Sequence, residues 1–161
     1  MPFNVLVLCT GNSARSILGE MLFNHLGQGR IKAYSAGSQP AGQVNPVALA
    51  TLKKHGVPHE GARSKSWDEF AGPVAPGIDF IFTVCGNAAS EPCPVWPGHP
   101  ATAHWGIADP AHVEPMEARR NAFEETYQAL HKRIDAFLAL PLESMGRDEA
   151  IAAARSIHVG E

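Results

Sequence analysis

The apolar positions change period several times along the chain. Val5-Leu6-Val7-Leu8 is an unbroken apolar run and reads as a buried strand over residues 3–8. Ile17, Leu18, Met21, Leu22 and Leu26 then share one face of a helix over residues 14–27, with Gly27 and Gly29 ending it. Residues 30–35 alternate, Ile31 and Ala33 against Lys32 and Tyr34, as in a second strand. A turn-rich loop spans residues 36–42. Asn45 caps a second helix, Pro46 takes its first position, and His55-Gly56 stops it. Residues 58–66 read as polar loop and 67–70 as a short helical turn. Ile78 to Val84 is rich in strand formers and forms the third strand. A long loop dense in Pro and Gly runs from Cys85 to Pro100, and residues 103–107 form a short fourth strand. Phe123, Tyr127, Leu130, Ile134 and Phe137 repeat at helical spacing over 116–138, and Pro141 breaks that helix. Residues 146–157 form a last, Ala-rich helix, packed loosely or extending from the body.

Strand and helix therefore alternate throughout. That argues for a single α/β domain, a four-stranded parallel sheet with helices on both faces and right-handed crossovers. Residues 1–140 carry the domain, and residues 141–161 are a helical extension of it. The whole chain has 161 residues, enough for one domain with a core of its own. Net charge is −3 and no basic run occurs, which argues against nucleic acid or an anionic membrane as partner. No stretch is long and apolar enough to span a bilayer, and the N-terminus lacks a signal-type apolar core. The expectation is a cytoplasmic monomer. Three cysteines, Cys9, Cys85 and Cys93, fit a reducing compartment better than a disulfide-stapled scaffold.

One stretch changes the picture from fold to chemistry. Cys9-Thr10-Gly11-Asn12-Ser13-Ala14-Arg15-Ser16 lies between the first strand and the first helix. A strand stops, a tight loop turns, and a helix begins, so backbone N–H groups and the positive end of a helix dipole converge on one point. Such a loop cradles a tetrahedral oxyanion in residues 10–16, and the planar fork of Arg15 clamps two of its oxygens. Cys9 sits at the loop entrance, where dipole and Arg15 both favour thiolate. A nucleophile at the floor of an anion cradle is a catalytic arrangement. Ser16 donates to the thiolate or only caps the helix.

These residues resemble the phosphate-binding loop of the low-molecular-weight protein tyrosine phosphatase family, and more closely its arsenate reductase branch. The resemblance runs from Val5 to about Leu140. It implies the flavodoxin-like strand order 2-1-3-4, with the first and third strands adjacent at the topological switch point. It also implies that Asp109, in Asp109-Pro110, is the acid that protonates the leaving oxygen. Phosphatases of the family follow Asp-Pro with an aromatic residue; here Ala111-His112 follows, which argues against a phosphotyrosine pocket. Thioredoxin-coupled arsenate reductases carry a cysteine pair after the third strand, then His-Trp-Gly and Asp-Pro. This chain has Cys85 and Cys93, then His104-Trp105-Gly106 and Asp109-Pro110. It departs in the wider Cys85–Cys93 spacing, in Ala14 where many relatives have a second cysteine, and in the stretch 86–92. Some of these relatives bind potassium, which here would lie near Asn12, Glu20, Ser35 and Asp68.

The resemblance thus implies reduction of arsenate to arsenite through a three-cysteine relay. Cys9 and Cys85 end neighbouring strands on one sheet edge, and Cys93 passes the oxidation outward. No tightly bound cofactor is implied; the reductant is thioredoxin, alternatively glutaredoxin with glutathione. The alternative activity is a phosphatase acting on phosphotyrosine or a small phosphoester. The non-enzymatic reading is an oxyanion or arsenite sensor whose thiols bind without turnover.

Overall fold

The computed structural model describes residues 2–70, 77–85 and 102–159. Four parallel strands, β1 (Phe3–Cys9), β2 (Ile31–Gly37), β3 (Phe80–Thr83) and β4 (Thr102–His104), form one sheet in the order β2-β1-β3-β4. This is the order that the resemblance implied. Alternation along the strands divides the apolar side chains between two faces. Val5, Val7, Cys9, Phe80 and Phe82 enter the larger core. Leu6, Leu8, Ala36 and Ile81 enter a smaller one, covered by Tyr34, Ile78 and the short helical turn Trp67–Phe70.

Four helices supply the larger core: α1 (Arg15–Gly27), α2 (Pro46–Lys54), α3 (Met116–Leu138) and α4 (Arg147–Val159). The α2 start follows the capping logic of its sequence, with the Asn45 side chain accepting from Val47 N at 2.9 Å. The end of α1 falls at the expected Gly27. Gly27 is the last helical residue, with no room for a Cβ against Ile31, and Gln28 takes the left-handed position (φ 45°). The α3 bounds coincide with the amphipathic repeat. Arg30, just before β2, donates to the Leu138 and Leu140 carbonyls and so satisfies the end of α3.

Two expectations change at the far edge of the sheet. The fourth strand is shorter than 103–107 and starts one residue earlier, and at Gly106 beyond it a Cβ would meet the His104 ring and the Cys85 carbonyl. Pairing to β3 nonetheless continues beyond it, from Trp105 N to Thr83 O (2.7 Å) and Ile107 N to Val84 O (3.3 Å). The last helix is packed firmly against the body. Ala150, Ile151 and Ala154 are buried, and the Trp105 indole donates to Ala154 O at 2.8 Å. Phe23, Phe82, Trp105 and Phe137 form the aromatic centre beneath it, with ring centroids 4.2–6.3 Å apart.

Candidate active site

The loop after β1 is held by its carbonyls. Thr10 O accepts from Gln39 N (2.9 Å), Gly11 O from Ala41 N (2.9 Å), and Ser13 O from Asn45 N (2.8 Å). All three donors lie on the segment leading into α2. In a trans peptide the C=O and the following N–H point in opposite directions. Carbonyls tied outward to that segment therefore turn the N–H groups of Gly11, Asn12 and Ala14 the other way, into the bowl of the loop. The start of α1 at Arg15 adds the positive end of its dipole. The bonds that orient the loop come from the 39–45 segment.

Asn12 is the pin of the loop. It is fully buried and left-handed (φ 47°), a conformation asparagine tolerates better than most residues. Its amide donates to Ser16 Oγ (2.8 Å) and Ser35 Oγ (2.9 Å), and its carbonyl accepts from Lys65 N (2.9 Å). Gly37, paired with Cys9 across β1 and β2, lets this loop pass close by. A Cβ at Gly37 would collide with the Thr10 carbonyl and come within 3.0 Å of Asn12 N. Ser64 adds a further tie, donating to Gly11 O at 3.2 Å. Ser64 and Lys65 lie in the stretch that reads as plain polar loop in the sequence, and no local pattern there signals their role.

The fold brings Arg15, Asp109 and Cys9 to one sheet edge. The Arg15 side chain is 5 % exposed; one nitrogen donates to Ile107 O at 2.9 Å, and the other lies 3.6 Å from Asp109 Oδ2. Asp109 Oδ1 accepts from Ala111 N at 2.9 Å, which fixes the Asp-Pro turn, and the exposed His112 ring lies 3.7 Å from Oδ2. Cys9 is buried and is a thiol. Cys85, also fully buried, takes part in a disulfide. Since Leu8 pairs with Thr83, Cys85 leaves β3 beside the end of β1. Cys93 lies outside the described residues. Behind the Asp109 turn, a cavity of about 460 Å³ opens between residues 106–110 and α3, lined by Glu125, Thr126 and Arg133 among others.

The residues considered for potassium divide. Asn12, Ser35 and Glu20 do meet: Asn12 donates to Ser35 Oγ, and Ser35 donates to Glu20 Oε1. Asp68 lies in the turn Trp67–Phe70, its N–H donating to Ser66 Oγ. A positive charge already stands at this cluster, however. Lys65 Nζ is 3.6 Å from Glu20 Oε1, with side-chain exposures of 6 % and 12 %. Burial pushes the Glu20 carboxyl above its ordinary range and the Lys65 ammonium below its own, and the attraction of each partner opposes the shift. The residues present therefore do not suit a second cation. Among the described residues no cluster of His, Cys, Asp and Glu forms a metal site.

The family model for low molecular weight phosphotyrosine protein phosphatase matches residues 4–150. The chain belongs to this phosphatase family. Within it, the chain is 34 % identical to an arsenate reductase of Shouchella clausii over 131 residues, covering 81 % of this chain and 91 % of the relative. It is 35 % identical to an arsenate reductase of Bacillus subtilis over 116 residues, covering 72 % and 80 %. Among solved structures, the arsenate reductase from Archaeoglobus fulgidus superposes with a TM-score of 0.63 at 28 % identity, covering 81 % of this chain and 98 % of that one. A tyrosine phosphatase of Erwinia amylovora shares the fold at 21 % identity and a TM-score of 0.59, over 99 % of this chain and 93 % of that one. Both of these sequence relatives are arsenate reductases, and the tyrosine phosphatase shows the shared fold. Among the described residues no helix is long and apolar enough to cross a membrane.

Proposed function

We propose that this chain reduces arsenate to arsenite, with Cys9 as nucleophile and Cys85 as the second thiol. The observation that carries the reading is the placement of these two buried sulfurs at the ends of adjacent strands, one of them at the floor of the cradle. A phosphatase needs only the first. The identities of 34–35 % to arsenate reductases of two bacteria support the same choice.

The Cys9 thiolate attacks arsenic in an arsenate held by the amides of residues 10–15 and by Arg15. A sulfur–arsenic bond forms, and one oxygen leaves as water after Asp109 gives it a proton. For this the Arg15 fork turns from Asp109 toward the oxyanion, a short movement from the observed 3.6 Å contact. Cys85 thiolate then attacks the Cys9 sulfur. The sulfur–arsenic bond breaks, and its electron pair leaves with arsenic, now arsenite. Two electrons pass from two thiols to arsenic, and a Cys9–Cys85 disulfide remains. Cys93 attacks Cys85 and restores the Cys9 thiolate. An external dithiol resets the chain; thioredoxin is the reading, glutaredoxin with glutathione the alternative. No step passes through potassium.

The test is NADPH consumption with arsenate, thioredoxin and thioredoxin reductase, with para-nitrophenyl phosphate as a parallel substrate. Steady turnover in the wild type, lost in both Cys85→Ser and Cys93→Ser, supports the relay. Phosphoester hydrolysis that survives both substitutions, without arsenate-dependent NADPH loss, means a phosphatase instead.

A further inference from the structure

Lys65 closes a ring of polar contacts around the loop. Its backbone N–H holds Asn12 Oδ1 at 2.9 Å, and its carbonyl accepts from Gly37 N at 3.0 Å. Its ammonium donates to Arg63 O at 3.0 Å and pairs with Glu20. Glu20 accepts from Ser35, and Ser35 accepts from Asn12, which returns the path to Lys65. The members come from the loop, α1, β2 and the 63–66 segment. Of the neighbouring charges, Arg63 is engaged by Glu69 in two hydrogen bonds of 2.6 and 3.0 Å. Within the buried ring, Glu20 and Lys65 therefore face each other as one negative and one positive group. A buried carboxylate needs a cation close by, and removing one member of such a pair leaves the other charge uncompensated.

We propose that Lys65 is a built-in cation and a positioning residue, which makes the anion loop of this chain independent of potassium. The ammonium stands against the Glu20 carboxyl at 3.6 Å and favours its charged form. Glu20 then fixes the Ser35 hydroxyl as donor, which leaves the Ser35 oxygen to accept from Asn12. Asn12 so held keeps its left-handed backbone and turns its N–H into the cradle. A monovalent cation at the same carboxylate would meet the ammonium and be repelled. The inference rests on the proposal above only in taking residues 10–15 as the oxyanion site.

The test measures the affinity of the reduced full-length chain for inorganic phosphate by calorimetry, in KCl and in NaCl at equal ionic strength. The wild type is expected to bind phosphate equally in the two salts. Lys65→Met is expected to bind about tenfold more weakly, because a misplaced cradle loses oxyanion contacts. Lys65→Arg, which keeps the charge, is expected to remain near the wild type. Wild-type affinity that rises saturably with potassium and not with sodium overturns the proposal, and this arm needs no variant to fold. Folded Lys65→Met with wild-type affinity overturns it as well, as does Lys65→Arg falling as far as Lys65→Met. Phosphate binding needs no turnover, so absent arsenate reduction would sink the proposed activity and leave this result standing.

Discussion

Asn12 has to satisfy three demands at once: a left-handed backbone, two donated hydrogen bonds and one accepted. Few residue types satisfy all three. Arg15 and Asp109 make the complementary case, in which position matters more than type. They stand ninety-four places apart in sequence and 3.6 Å apart in space. The carboxylate faces the guanidinium that would hold the oxyanion, which is where a proton for the leaving oxygen is needed. Asp109→Asn keeps the Asx bond to Ala111 but cannot give up a proton. Its kcat for arsenate should fall by roughly 10²–10³-fold with little change in KM, read by steady-state kinetics. An unchanged kcat would assign the proton to another donor.

Among the elements, the site depends on β1, α1 and the 39–45 segment, while α2 and α3 brace each other some distance away. At that junction Glu124 receives hydrogen bonds from His55, Lys54 and Gln128, and the His55 ring stacks on Tyr127 at 4.0 Å. Burial is the largest single influence and raises the Glu124 pKa, but the three donors together outweigh it and hold the carboxyl at about 2. An ordinary glutamate in the unfolded chain titrates near 4.5, so the unfolded state binds more protons between those values. The stability this group contributes is present above pH 4.5 and is lost as pH falls toward about 2. Glu124→Gln should therefore lower the melting temperature at neutral pH by a few degrees and flatten the acid limb below pH 4.5. A parallel downward shift at every pH, read by thermal scans, would mean packing is lost at this junction and charge is not.

At the scale of the whole molecule, local periodicity carried most of the architecture. The β1–loop–α1 unit, the Asn45 cap and the amphipathic α3 are visible because each is written in neighbouring residues. The place of the Cys9-to-Ser16 stretch between β1 and α1 was legible for the same reason. Features decided by long-range packing were not. Lys65 sits in a polar stretch, and its burial depends on Glu20 and Ser35 arriving from other elements. The docking of α4 depends on Trp105 presenting its indole to Ala154. The need for glycine at 106 follows from the approach of the His104 ring and the Cys85 carbonyl.

The central claim is that the thiols of this chain supply the two electrons that convert arsenate to arsenite. The most direct measurement is a single turnover of the fully reduced protein with arsenate and no external reductant. Arsenite and remaining thiols are counted in the same quenched sample. One arsenite per chain with two thiols lost, and neither in Cys9→Ser, is the predicted result. No arsenite and an unchanged thiol count, from protein that still hydrolyses para-nitrophenyl phosphate, would contradict it.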